Sequence, residues 1–223
     1  MKNIAILIGI SLATVGLVVA LAWTQKPTSP PDLENLQEQS QPARFTVLQN
    51  ACDEGDGAAC FELGLIHYNA EGTVQDLDAA ARLFKAACQQ GEAGGCANLG
   101  VMYASGVGTR QDYTEAARLY REACDLRGGG GCSNLGVLYA NGYGVEQSDT
   151  KAAALYEKGC ALQDPAGCSN LGLLYAQGQG VARDRARALE LFQKACHMAH
   201  EAGCLNLQAL SEKMGIDPKR PIQ

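Results

Sequence analysis

The chain is poor in the residues from which active sites are usually assembled. Aromatic side chains make up 6% of its 223 residues, there is one tryptophan, and His67, His197 and His200 are the only histidines. His197 and His200 lie three apart with Glu201 alongside, a spacing that one helix face could aim at a metal. The helical pattern is ending there and no further ligand is identifiable, so the group reads as a solvated helix end and no metal is expected. Cys-x-x-Cys is absent, which removes the spacing wanted by a redox-active dithiol, a zinc site or a c-type haem. A basic stripe is missing as well. With 18 Lys and Arg against 24 Asp and Glu the formal net charge is −6, and nucleic acid is not an expected partner. No motif implies a cofactor.

Cysteine, by contrast, is plentiful and ordered. The ten cysteines fall in five pairs, Cys52/Cys60, Cys88/Cys96, Cys124/Cys132, Cys160/Cys168 and Cys196/Cys204, eight positions apart within a pair and thirty-six from pair to pair. A period in the thirties is that of stacked helical hairpins. An even, regularly spaced set behind an export signal predicts a disulfide framework in an oxidising compartment.

The export signal is residues 1–23, where Lys2 precedes an apolar run from Ile4 to Trp23. Ala20-Leu21-Ala22 suits a signal-peptide cleavage site, whereas the length of the run suits an uncleaved membrane anchor. Residues 24–42 carry Pro27, Pro30, Pro31 and Pro42 among Ser, Gln and Glu, too little apolar surface to fold, and are expected to be a tether. No cysteine stands where a lipoprotein needs one. Either fate of the leader puts the repeats outside the cytoplasm, periplasmic or secreted, with inner-membrane anchoring through residues 4–23 if it is retained.

Residues 43–215 form one expected domain, followed by a tail at 216–223. Three copies align as Cys96-Ala-Asn-Leu-Gly-Val-Met-Tyr103, Cys132-Ser-Asn-Leu-Gly-Val-Leu-Tyr139 and Cys168-Ser-Asn-Leu-Gly-Leu-Leu-Tyr175, each followed by Gly-x-Gly at 106–108, 142–144 and 178–180. A second stretch follows, as in Glu115 to Cys124, and both stretches repeat their apolar residues at helical spacing. Gly-x-Gly supplies the positive φ of a tight turn, and Asp112 caps the second helix. Gly100, Gly136 and Gly172 lie inside helices at a cost of about 1 kcal/mol each, tolerable where a neighbouring helix must come close. Arg44–Cys52 reads as a lone second helix. The earliest full copy diverges, with His67 at the tyrosine position and Ala70 at the first turn glycine. Residues 202–214 read as a lone first helix, with Gln208 and Ser211 replacing glycine and tyrosine on an outer face. The expected fold is all-α, an α/α solenoid of about ten helices.

The pattern Cys-x-Asn-Leu-Gly-x-x-Tyr, Gly-x-Gly-Val, Asp, Leu-Tyr/Phe and Ala-Cys resembles the Sel1-like repeat in the cysteine-rich form of the Helicobacter cysteine-rich proteins, over residues 43–214. The resemblance implies a right-handed superhelix of helical hairpins. It also implies that each cysteine pair closes on itself, Cys52–Cys60, Cys88–Cys96, Cys124–Cys132, Cys160–Cys168 and Cys196–Cys204, across the turn joining one repeat to the next. Antiparallel helix ends can meet at the Cα separation a disulfide needs, which supports the same pairing. Each bridge would contribute about 2.5 kcal/mol in the chain-entropy picture.

Some members of the cysteine-rich family are described as penicillin-binding or as weak β-lactamases, and Ser148-Asp-Thr-Lys151 matches the Ser-x-x-Lys of penicillin-recognising enzymes. That chemistry also needs a second serine and a Lys-Thr-Gly strand, which the chain lacks. Ser148 falls in register with Asp112, so it reads as a helix cap. The stronger pattern is a ladder on the first helices: Glu62, Asn98, Asn134, Asn170 and Asn206 share one register position. One and two turns on lie Val101 and Ser105, Val137 and Asn141, Leu173 and Gln177. Such amides can donate to and accept from the backbone of an extended peptide, or can tie down the preceding turn. The expected function is therefore a scaffold holding a protein or peptide of the cell envelope in a concave groove. A β-lactamase-like hydrolase is the alternative.

Overall fold

The computed structural model describes residues 41–215. They form ten helices: α1 (Gln41–Asp53), α2 (Gly57–Asn69), α3 (Leu77–Gln89), α4 (Ala93–Ser105), α5 (Tyr113–Asp125), α6 (Gly129–Asn141), α7 (Asp149–Ala161), α8 (Pro165–Gln177), α9 (Arg185–His197) and α10 (Glu201–Met214). The leader at 1–23, most of the tether at 24–42 and the tail at 216–223 lie outside the described residues.

Eight of the ten helices start at a side chain that caps them. Asp76, Asp112, Ser148 and Asp184 accept a backbone N–H from the first turn of α3, α5, α7 and α9, and Asp56, Glu92, Asp164 and His200 do the same for α2, α4, α8 and α10. Gly128, before α6, has no side chain with which to do so. The turns within a repeat close through a left-handed residue, Gly106 (φ 75°), Gly142 (φ 72°) or Gly178 (φ 78°). In the divergent first copy Ala70 takes the same conformation at φ 60°.

The helices pack in sequence order, each against its predecessor and successor. Within every hairpin an aromatic ring from the second helix lies on a glycine of the first: Phe84 on Gly64, Tyr120 on Gly100, Tyr156 on Gly136 and Phe192 on Gly172. A β-carbon at any of these glycines would stand 2.6–2.7 Å from the ring, which is why helix-interior glycine is kept despite its propensity cost. Buried Leu99, Leu135 and Leu171 carry the core from one repeat to the next, clustering with Phe84, Tyr120 and Tyr156 of the preceding hairpin. Between repeats the second turn glycine makes the contact: a β-carbon at Gly144 would run into the backbone of Tyr113 and Thr114 at the start of α5.

Five disulfides join the predicted partners, with Cα separations of 4.5–4.6 Å. They close the turn between one repeat and the next, where one residue again has positive φ: Gly55, Gly91, Arg127, Gln163 and Ala199. Three of these five are not glycine, which the sequence pattern does not announce. At the C-terminal end Gln208 is exposed, as an outer face requires, but Ser211 is buried, so the residue replacing the tyrosine is not turned outward.

Candidate functional site

The first helices of successive repeats, α2, α4, α6, α8 and α10, touch one another in series, whereas no two second helices come into comparable contact. A stack whose first helices are closer together than its second helices curves toward the first, so these helices line the inner wall. The Asn register lies on them.

Its members differ in what they already hold. Asn98 donates from Nδ2 to the carbonyl of Gly94 at 3.0 Å, within the first turn of its own helix. Asn206 donates to Ser169 Oγ in the previous repeat at 3.4 Å. Glu62 accepts from Arg44 at 3.2 Å in an ion pair. Asn134 and Asn170 are half-buried, and among the described residues neither side chain has a hydrogen-bond partner. One turn further, Val101 is exposed and Val137 and Leu173 are half-buried, forming an apolar row beside the amides. Beyond them Ser105 and Asn141 turn back to donate to the carbonyls of Val101 and Val137 at 2.8 Å, while Gln177 is exposed.

The wall ends in a cavity of about 440 Å³ between α8 and α10. Asn206, Leu173, Ala209, Arg183, Arg185 and Lys213 line it, with no carboxylate among the lining residues. The three cations come from the turn before α9, its first residue and the last turn of α10, so no contiguous motif marks them.

The remaining candidates are structural in this geometry. Ser148 Oγ accepts the N–H of Lys151 at 3.3 Å as the cap of α7, and the Lys151 ammonium lies 5.3 Å from the Tyr139 ring centre. Each is engaged on its own, and no strand exists among the described residues to complete a β-lactamase-like site. His197 ends α9, whereas His200 caps α10 through Nδ1, which accepts from Gly203 at 3.2 Å, so the two histidines and Glu201 sit across a turn and not along one helix face. His67 packs edge-on against Phe45, with ring centres 5.7 Å apart. Cys88, Cys96 and Glu122 bring three possible ligand atoms together, but the two sulfurs are joined to each other and offer no thiolate.

The geometry is that of a repeat solenoid with a polar inner wall, and comparison places it. The Sel1 repeat family model matches residues 57–92, 93–127, 130–164 and 165–200, and the chain belongs to that family. A search of curated proteins gives no match. Similar solved structures include a protective antigen of uropathogenic Escherichia coli displaying an SLR fold, 28% identical with a TM-score of 0.69, covering 78% of this chain and 38% of that one. They also include a Sel1 repeat protein from Oxalobacter formigenes, 23% identical with a TM-score of 0.72, covering 81% of this chain and 71% of that one. Helicobacter pylori cysteine-rich protein B is 36% identical over 60% of this chain and 96% of its own, with a TM-score of 0.48. This chain thus spans little more than a third of the Escherichia coli antigen structure.

Proposed function

We propose that the protein is an extracytoplasmic scaffold whose inner wall holds an extended segment of a cell-envelope protein. One observation carries this: Asn134 and Asn170 present amides with both donor and acceptor free, thirty-six residues apart, beside the apolar row of Val137 and Leu173. An extended peptide offers a backbone of alternating N–H and C=O groups with side chains on alternate faces, which such a row of amides and shallow apolar positions matches. The regular disulfides favour an oxidising location, and they remove conformational freedom from the wall before a partner arrives, lowering the entropic cost of binding. Among the described residues no helix is long and apolar enough to cross a membrane, and the apolar run at residues 4–23, read as signal peptide or anchor, is outside them.

The test is binding to an array of peptides tiled from envelope proteins, comparing the parent chain with Asn134→Ala/Asn170→Ala. The pair of substitutions should remove binding while stability changes by no more than about 0.5 kcal/mol, since neither amide holds the fold. Binding that survives with undiminished affinity contradicts the proposal. Adding Asn98→Ala should cost further stability, because its bond to Gly94 is internal to α4.

A further inference from the structure

Resting on the peptide-binding reading, we infer that the partner carries acidic groups and that they seat in the cavity between α8 and α10. The inner wall is neutral through its middle repeats. The register position occupied by Asn69, Ser105, Asn141 and Gln177 becomes Lys213 in α10, the first charge in that series. Lys213 lines the same cavity as Arg183 and Arg185, and the position that is Asn206 here is Glu62 at the far end of the ladder. The wall therefore runs from Glu62 on α2, paired with Arg44, to a cavity between α8 and α10 that three cations line, in a chain whose net charge is −6.

Within that cluster the cations are free to bind. Arg183 uses Nε to donate to the carbonyl of Ala176 at 3.1 Å, which fixes the guanidinium at the end of α8 and leaves its outer nitrogens open. Arg185 and Lys213 have neither a salt bridge nor a hydrogen bond among the described residues, although four other basic side chains, Arg44, Arg118, Lys158 and Arg187, form ion pairs. Two arginines and a lysine lining one concave surface, together with an amide and apolar Leu173 and Ala209, suit a carboxylate carried on an extended, partly apolar chain. The carboxylate can belong to an Asp or Glu side chain or to a chain terminus; its chemistry is the same.

The experiment uses the full, oxidised chain and a short fluorescein-labelled Ala/Leu peptide in four forms: with two glutamates or two glutamines, each as free acid or C-terminal amide. Fluorescence anisotropy should show the carboxylate-bearing forms binding about tenfold or more tightly than the glutamine amide, with the preference falling as salt rises. A preference tracking the glutamates assigns the cavity to acidic side chains, and one tracking the free acid assigns it to a chain end. Arg185→Gln/Lys213→Gln should erase the preference while the helical circular dichroism and melting temperature stay as in the parent. Equal affinity for all four forms, no binding of any, or a preference unchanged in the Gln variant overturns the inference. The Asn134→Ala/Asn170→Ala chain separates the two claims: loss of glutamine-amide binding there with no carboxylate preference in the parent sinks the acidic inference alone. A carboxylate preference that persists in the Asn variant at parental affinity sinks the ladder alone.

Discussion

The ring of Tyr120 packs so closely on Gly100 that Cε1 is 2.6 Å from where a β-carbon would stand. Glycine at this point exchanges helix propensity for interhelical approach. Gly100→Ala should gain about 1 kcal/mol from propensity and lose more from overpacking, about 1–3 kcal/mol, because buried Tyr120 has little room to yield. Gly130, near the start of α6, has open space around its missing β-carbon. Gly130→Ala should therefore stabilise, by about 0.5 kcal/mol. Urea unfolding of the two variants should give opposite signs; two changes of the same sign would mean that interhelical approach is not what keeps glycine in the helices.

Ser133 Oγ is buried without a partner, in the space that β-carbons at Gly159 and Gly167 would occupy. Position 159 is alanine in the other repeats, at Ala87, Ala123 and Ala195, so glycine there makes room for the hydroxyl. Ser133→Ala should stabilise by about 1 kcal/mol through removal of an unpaired buried hydroxyl. Gly159→Ala should destabilise in the parent and recover in combination with Ser133→Ala, a coupling that a double-mutant cycle reads directly.

Burial pushes the Tyr120 and Tyr156 hydroxyls up to about 12, from an ordinary value near 10. Unfolding releases these hydroxyls to ionise at the lower value, so the unfolded state binds fewer protons in that window. Their contribution is intact below about pH 10 and should be lost as pH rises toward 12. The parent's stability should fall between about pH 10 and 12 more steeply than that of Tyr120→Phe/Tyr156→Phe. Parallel profiles would mean that the buried hydroxyls do not set the alkaline limit.

Replacing Cys88 and Cys96 by serine opens one turn and should cost about 2.5 kcal/mol. Because each unit contacts its neighbours in series, hydrogen exchange should accelerate chiefly in α3 and α4 and less in α8 and α9. Uniform acceleration would show that the stack unfolds as one unit.

Cysteine spacing, Gly-x-Gly and the Asp112 cap made the helices and their order legible, because each is a local chemical requirement, and the resemblance to the cysteine-rich Sel1-like repeat added the disulfide partners. The left-handed Arg127, Gln163 and Ala199 were not legible: the disulfide and the turn hydrogen bonds impose that conformation on residues that do not prefer it. Ser148 and Asp112 share a register and, as their positions suggest, a capping role. The ladder positions were visible, yet which amides are free depends on side-chain choices: Asn98 turns to Gly94 while Asn134 finds no partner. The cluster of Arg183, Arg185 and Lys213 was hidden because three elements bring it together.

The most direct test of an inner binding wall is site-specific photo-cross-linking of the full chain to a peptide selected on the array. A benzophenone side chain would replace Val137 on α6 in one variant and exposed Glu157 on α7 in another. Adducts formed from position 137 and absent from 157 are the predicted result. Equal labelling from both, or labelling from 157 alone, would place the partner elsewhere and contradict the account.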